Sequence, residues 1–189
     1  MDIERPMRKH GVEILEPFFV CFEEVLMKSP SGQPVRADVI AITTSDCSSP
    51  IVIAVEVKSH QNTNPGKFKA ALFQASAYVN AKIDDPRLRR HNGSSIDAAM
   101  VFPAPSYRWH GRISETDGLE YILTGIAFFA ERLNVGRLAQ LENDWEIVFG
   151  PNEFWSKRKG WMGHAKTRFP DRGIVTAFEK DVSNHAANL

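Results

Sequence analysis

The sequence is poor in cysteine and has no net charge of either sign. Only Cys21 and Cys47 occur in 189 residues, with no CxxC pair and no Cys/His spacing of a zinc site. A disulfide framework and a structural zinc site are therefore not expected, and a reducing, cytoplasmic environment is the simplest expectation. Lysine plus arginine and aspartate plus glutamate number 23 each. This balance argues against a strongly basic nucleic-acid-binding chain but leaves room for a local basic patch.

Long hydrophobic runs are also missing. The apolar run YILTGIAFFA has roughly half of the ~20 residues that a membrane-spanning helix needs. The first residues, MDIERPMRKH, lack the apolar segment of a signal peptide. We therefore expect a soluble, intracellular protein. A length of 189 residues and a hydrophobic content of 43% suit one globular domain, with or without a small appendage.

What the chain does contain is a series of three predicted β-strands joined by tight turns. Residues 18–27 are rich in aromatic and β-branched side chains, which slightly favours a strand over a helix. Turn signals at 30–34 (PSGQP) and 46–50 (DCSSP) separate two further strands, at 35–44 and 51–59. The last strand, IVIAVEVKS, is almost continuously β-branched, as expected of a strand buried on both faces in the middle of a sheet.

Helices and further strands surround these three strands. They follow from apolar residues at helical spacing, or from β-rich runs bounded by turn residues. The predicted elements are helices at 2–15, 67–83 and 118–133, a strand at 95–103 and a hairpin at 137–150. This order predicts an α/β domain over residues 1–150, with a central mixed β-sheet flanked by helices. A basic and aromatic C-terminal extension at 151–189 follows it.

Two charged residues stand on one face of the predicted central strand. Side chains alternate along a strand, so Glu56 and Lys58 project to one side and Val55 and Val57 to the other. Burying two charges is costly unless they pair, bind a metal or take part in chemistry. Asp38 is a lone acid in the preceding apolar strand, and a hairpin through DCSSP would bring its carboxylate close to Glu56.

Two carboxylates beside an amine suit metal-dependent hydrolysis of a phosphodiester. Mg²⁺ prefers oxygen ligands and keeps several waters, and a bound cation acidifies the attacking water. Asp38 and Glu56 are therefore candidate ligands for Mg²⁺, with Mn²⁺ as a substitute ion. Lys58 is a candidate for holding the water and stabilising charge on the phosphate. The alternative is that Glu56 and Lys58 form an ordinary cross-strand or surface ion pair.

The arrangement resembles a known nuclease signature. Asp38 in VRADVIAI followed by Glu-x-Lys in IAVEVKS is similar to the D…(D/E)xK motif of the PD-(D/E)XK (restriction-endonuclease-like) superfamily. Gln74 and Tyr78 in FQASAY resemble the QxxxY motif of its RecB-like and Cas4-like branch, and at this spacing they share one helix face. The resemblance covers residues from about 10 to 80 and implies a restriction-endonuclease-like core. It also implies that this pair borders the catalytic pocket, where it contacts DNA or orients the lysine.

The resemblance further implies a metal ligand on the first helix. Members of the superfamily often carry a glutamate there, and Glu13 is our choice, with Glu16 and Glu4 as competitors. The alternative is that Glu13 is a solvated acid on the helix surface. The histidine motif usual in the RecB-like branch is matched only loosely, by His10.

Basic and aromatic residues are interleaved near the C-terminus. Basic side chains neutralise phosphates and exposed rings stack on unpaired bases, so we expect DNA contacts within 154–172. The candidate residues are Lys157, Arg158, Lys159, Trp161, Lys166 and Arg168. The alternative is that the tryptophans anchor this segment to the domain while the charges stay in solvent. Weaker candidates of the same kind lie in 107–112 and at Arg87, Arg89 and Arg90.

Together these features predict a Mg²⁺-dependent DNA nuclease. By family analogy alone, the QxxxY pair favours single-stranded ends or flaps as substrate. The zero net charge adds the hypothesis of a protein partner that delivers the DNA. Two alternatives stay open. One is a catalytically silent nucleic-acid-binding or scaffolding protein on the same fold, and the other is a different metal-dependent phosphoesterase or an RNA-directed nuclease.

Overall fold

The computed structural model describes residues 5–16, 18–59, 65–104, 118–141 and 144–186. The helices are α1 (Arg5–Leu15), α2 (Pro65–Val79), α3 (Gly118–Arg132), α4 (Gly163–Arg168) and α5 (Ala177–Ala186). The strands are β1 (Phe19–Lys28), β2 (Pro34–Thr43), β3 (Val52–Val57), β4 (Lys82–Ile83), β5 (Ala98–Phe102), β6 (Val135–Leu141), β7 (Asp144–Phe149), β8 (Asn152–Ser156) and β9 (Gly160–Trp161). Short 3-10 helices lie at Pro86–His91 and Pro170–Arg172. Among the helices described, none is both long and apolar enough to cross a membrane.

The nine strands of the described residues join one mixed sheet in the order β4-β1-β2-β3-β5-β6-β7-β8-β9. Strands β1, β2 and β3 are antiparallel neighbours, whereas β3, β5 and β6 run parallel to one another. Parallel neighbours need a crossover, and α2 and α3 lie within the two crossovers. The predicted α/β class with a mixed, helix-flanked sheet is therefore confirmed. All six residues of β3 are buried, as its β-branched sequence led us to expect.

Two hydrophobic layers cover the two faces of the sheet. On one side, Phe68 and Ala75 of α2 pack in a cluster with Ala54 of β3. On the other side, Ile14 of α1 packs in a cluster with Val55 of β3. We refer to these sides as the α2 face and the α1 face. Because side chains alternate along β3, Glu56 belongs to the α2 face, together with Ala54.

Residues after 150 continue the sheet. Strand β8 pairs with β7 and β9 pairs with β8, while Trp155 and Trp161 are 0% and 2% exposed in the cluster of the α1 face. The segment predicted as an extension therefore contributes to the core. Its end is fixed to the turn before β3, where the amide of Ser48 donates to the carbonyl of Arg172 (2.8 Å) and the amide of Val175 to that of Asp46 (2.7 Å).

Candidate active site

The sequence-predicted catalytic residues meet at the end of the sheet where β3 and β5 finish. The register of β2 against β3 pairs Val39 with Val55, so Asp38 follows directly beside Glu56 on the neighbouring strand. The amide of Val57 donates to Asp38 Oδ2 (2.7 Å), which holds this carboxylate against the end of β3. We call this side of the molecule the β3 carboxyl end.

Glu56 is the centre of the cluster. Its side chain is 1% exposed, and the Lys58 ammonium donates to Oε1 while the Tyr78 hydroxyl donates to Oε2. Lys58 Nζ also lies 3.4 Å from Gln74 Oε1. Strand β3 and helix α2 therefore bring Glu56, Lys58, Gln74 and Tyr78 into one connected group, with Asp38 adjacent.

The electrostatics of Glu56 are unfavourable for its charged form. Burial raises the pKa of Glu56; the hydrogen bonds from Lys58 and Tyr78 oppose this shift, and the nearby Asp38 charge adds to it. Burial and the Glu56 charge likewise raise the pKa of Tyr78, so its phenol stays protonated and continues to donate. A divalent cation held by Asp38 and Glu56 would favour the charged forms of both carboxylates.

The donor set fits a hard divalent cation. Asp38 and Glu56 supply carboxylate oxygens, the ligands that Mg²⁺ takes in proteins, where it completes its shell from water and phosphate. Within the described ranges, no group of three or more His, Cys, Asp or Glu side chains is placed to hold a metal ion. The described part of the site therefore offers two carboxylates rather than the predicted three.

Glu13 is not brought together with those two carboxylates. Helix α1 packs on the α1 face of the sheet, whereas Glu56 lies on the α2 face. The Glu13 side chain is 56% exposed, and its carboxylate lies 4.0 Å from Lys9 Nζ and 3.9 Å from His10 Nδ1. Its role as a ligand stays a prediction without a supporting contact. Glu16 is exposed at the end of the same helix, and Glu4 lies outside the described residues.

The predicted DNA-binding residues divide between the two ends of the sheet. Lys157, Arg158 and Lys159 form the turn between β8 and β9, which lies at the β3 carboxyl end because β7 begins there beside the end of β6. Trp161 is 2% exposed and contacts Phe19, so its predicted stacking on a base is wrong. The alternative, that the tryptophans anchor this segment, is correct for Trp161.

Lys166 and Arg168 belong to the opposite end of the sheet and have protein partners. Lys166 Nζ lies 2.5 Å from a Glu179 carboxylate oxygen. The Arg168 guanidinium pairs with Glu131 (3.1 Å) and lies over the ring of Phe149, 4.6 Å from its centroid. Burial lowers the pKa of Arg168. These contacts place the Arg168 guanidinium in the packing of the C-terminal segment. Little of the guanidinium is therefore available to contact DNA.

The weaker candidates for DNA contact differ in their surroundings. Arg87 binds the Asp85 carboxylate (2.8 Å) and the carbonyl of Glu24 (2.8 Å), so it fixes the 3-10 helix to β1. Arg89 and Arg90 are exposed. Residues 107–112 lie outside the described residues.

Two features of the site were not predicted from the sequence. The carbonyl of Phe102 accepts the backbone amide of Lys58 (2.7 Å), which fixes the lysine where β3 ends. The rings of His10 and Trp145 pack on the Phe102 side chain. These contacts join residues far apart in sequence, and no local pattern signals them.

A cleft of about 450 Å³ between α2 and α3 is separate from this site. Its lining is almost entirely apolar and includes Leu72, Phe73, Ile126 and Phe129. Neither Asp38 nor Glu56 borders it. The cleft therefore lacks the groups that metal-dependent hydrolysis needs.

Comparisons with protein-family models, with curated proteins and with solved structures found no match for this chain.

Proposed function

We propose that the chain is a Mg²⁺-dependent DNA nuclease with a restriction-endonuclease-like core of the PD-(D/E)XK superfamily. The observation that carries this proposal is the convergence of Asp38, Glu56, Lys58, Gln74 and Tyr78 at the β3 carboxyl end. These residues come from two adjacent strands and one helix, in the arrangement that the sequence motifs imply. A surface ion pair would not explain why the carboxylate of the pair is 1% exposed beside a second acid.

The chemistry divides among named side chains. Asp38 and Glu56 would hold Mg²⁺, which when bound acidifies a water and neutralises charge on the scissile phosphate. Tyr78 fixes one oxygen of Glu56, and Gln74 lies close enough to position the Lys58 ammonium. Lys58 is 27% exposed, so its head can reach a phosphate from the position that it holds beside Glu56. There it stabilises the charge that develops on the phosphate oxygens.

The test is cleavage of labelled DNA by purified wild type, Lys58→Ala and Glu56→Gln. Single- and double-stranded substrates are incubated with Mg²⁺, Mn²⁺ or EDTA. We expect metal-dependent cleavage by the wild type and a loss on the order of 10²–10³-fold in each variant, the size seen when one group that stabilises the transition state is removed. A matched control is Lys69→Ala, which removes an exposed lysine that borders the apolar cleft between α2 and α3 and should cut like the wild type.

Three outcomes would count against the proposal. Cleavage that survives EDTA would remove the metal from the reaction. Absence of cleavage in every metal, with DNA binding intact, would favour the silent scaffold on the same fold. An RNA substrate that outcompetes DNA would point to the RNA-directed alternative.

A further inference from the structure

An aromatic cluster lies beside the candidate active site, on the α1 face. The Phe102 ring is buried, with ring centroids 6.0 Å from His10 and 5.6 Å from Trp145. His10 and Trp145 meet edge to face at 5.5 Å. The His10 side chain is 47% exposed, and Trp145 is partly exposed. The cluster is therefore buried at Phe102 and open to solvent at its other two rings.

Three consecutive cations border these rings. The β8–β9 turn carrying Lys157, Arg158 and Lys159 is fixed by its backbone, since the amide of Arg158 donates to Asp144 Oδ2 (3.3 Å) and that of Lys159 to Ser156 Oγ (3.0 Å). Lys157 Nζ donates to the carbonyl of Glu13 (3.2 Å), which joins this turn to α1. The side chains of Arg158 and Lys159 are exposed. A well-fixed turn thus presents two exposed positive charges next to two accessible rings.

The charge of this surface is positive although the whole chain is neutral. Its members are Lys9, His10, Glu13, Asp144, Trp145, Lys157, Arg158 and Lys159, and we call it the aromatic–basic surface. Four of them are lysine or arginine and two are carboxylates. Lys9 is 79% exposed. A neutral protein can therefore still attract a polyanion at this place.

Phe102 connects this surface to the catalytic group. Its ring belongs to the aromatic cluster, and its carbonyl accepts the backbone amide of Lys58 (2.7 Å). The aromatic–basic surface and the Asp38–Glu56 pair therefore lie at the same end of the sheet, on opposite faces. A flexible strand that leaves the candidate active site around this end of the sheet would pass toward the rings and the cations.

We propose that the aromatic–basic surface binds the single-stranded part of a DNA substrate and leads it to the active site. The inference rests on the proposed nuclease function and narrows its substrate to DNA with a single-stranded segment. Unpaired bases stack on His10 and Trp145, which duplex bases cannot do because they are already stacked. Arg158 and Lys159 neutralise phosphates of the same strand.

Binding of a fluorescent oligothymidine strand in EDTA tests the proposal without cleavage. Fluorescence anisotropy is measured for wild type, His10→Ala and the double variant Arg158→Ala/Lys159→Ala. We expect each to bind on the order of tenfold more weakly than the wild type, because His10→Ala loses one base stack and the double variant loses two phosphate contacts. For the double variant, the slope of log affinity against log salt should fall by about 1.4, since each single-strand phosphate contact contributes about 0.7.

Matched controls come from other parts of the molecule. His164→Ala removes a second exposed histidine, which packs near Phe154 (6.4 Å between ring centroids). The double variant Lys69→Ala/Arg132→Ala removes two exposed cations of α2 and α3. Both controls should bind the oligonucleotide like the wild type.

The outcomes separate this inference from the proposed function. Selective loss of single-strand affinity in the surface variants supports binding of the single strand at this surface, even if no metal produces cleavage and the nuclease proposal fails. Equal affinity in surface and control variants overturns it, even if the wild type cuts DNA. Equal affinity of the wild type for a blunt duplex and for a single strand also overturns it.

Discussion

At the scale of the residue, the surroundings of Glu56 disfavour the ionised form of its carboxylate. It is buried beside Asp38, and burial raises its pKa, although Lys58 and Tyr78 both donate to its carboxylate. A protein that needed only stability would place an apolar or amide side chain there. The arrangement fits a site where stability is reduced in favour of chemistry.

Glu56→Gln should therefore lower cleavage by on the order of 10²–10³-fold, and its stability relative to the wild type should increase as the pH rises. Because the pKa of Glu56 is raised on folding, its contribution to stability is fully present below the pKa of the unfolded state and is lost as the pH rises through the folded pKa. Glutamine does not titrate, so the stability of the variant minus that of the wild type should increase from pH 4 to pH 7. Urea unfolding at several pH values measures this difference.

The control for that experiment is Glu13→Gln, because the Glu13 side chain is 56% exposed. This variant removes one carboxylate outside the Glu56 cluster, so it serves as a reference for the loss of one charge alone. A Glu56→Gln variant whose relative stability falls toward neutral pH would show that the ionised carboxylate is stabilising. In that case the cluster would be a structural ion pair.

The sequence predicted the side-chain positions that depend on neighbouring residues and missed those that depend on distant ones. Alternation along β3 and the short DCSSP turn were enough to predict that Asp38 and Glu56 lie together, because both follow from neighbouring residues. The position of Glu13 depends on which face of the sheet α1 covers, and that is decided by packing between distant segments. The positions of Trp161 and Arg168 are likewise decided by packing between distant segments, since their partners Phe19 and Glu131 come from other elements.

At the scale of the element, two glycines show that the effect of an added side chain on stability depends on the packing around the position. Gly136 lies in β6, where an added Cβ would meet the carbonyl oxygen of Val148 at 2.8 Å and the Phe149 ring at 3.0 Å. Gly125 lies in α3, where an added Cβ would meet nothing within 4 Å. The first glycine permits close approach of two strands, whereas the second only lowers helix propensity.

The same substitution should therefore have opposite effects at these positions. Gly136→Ala should lower the free energy of unfolding by about 1–3 kcal/mol, because strand β7 has to move away. Gly125→Ala should raise it by up to about 1 kcal/mol, through helix propensity alone. Urea midpoints of both variants measure the difference. Stabilisation by Gly136→Ala would show that the packing of β6 on β7 differs from the one described.

At the scale of the whole molecule, the C-terminal segment completes the sheet that carries the site. Strands β8 and β9 extend it, and Trp155 and Trp161 are almost fully buried in the cluster that also holds Val55 and Phe102. Helix α5 differs from these strands, because Phe178 is 75% exposed and Val182 is 53% exposed. The sequence showed the basic residues of this segment clearly, but the burial of its tryptophans arises only in the assembled sheet.

Two truncations should separate these contributions. A chain ending at residue 176 loses α5 and the ion pairs of Lys180 with Asp46 and of Glu179 with Lys166. Helix α5 leaves Phe178 and Val182 largely exposed, so its loss should remove little of the core, and this chain should still unfold cooperatively and bind DNA. A chain ending at residue 150 loses both buried tryptophans. Each buries about 150–250 Å², or about 4–6 kcal/mol at 25 cal/mol per Å².

That loss is comparable to the whole stability of a typical domain, about 5–15 kcal/mol. The shorter chain should therefore give no near-UV circular dichroism signal and no cooperative urea transition, and it should not cut DNA. Double replacement of Trp155 and Trp161 by alanine in the full chain should have the same effect. If the chain ending at 150 instead folds cooperatively and cleaves DNA, then β8 and β9 are an appendage, and the active site depends only on the strands from β1 to β7.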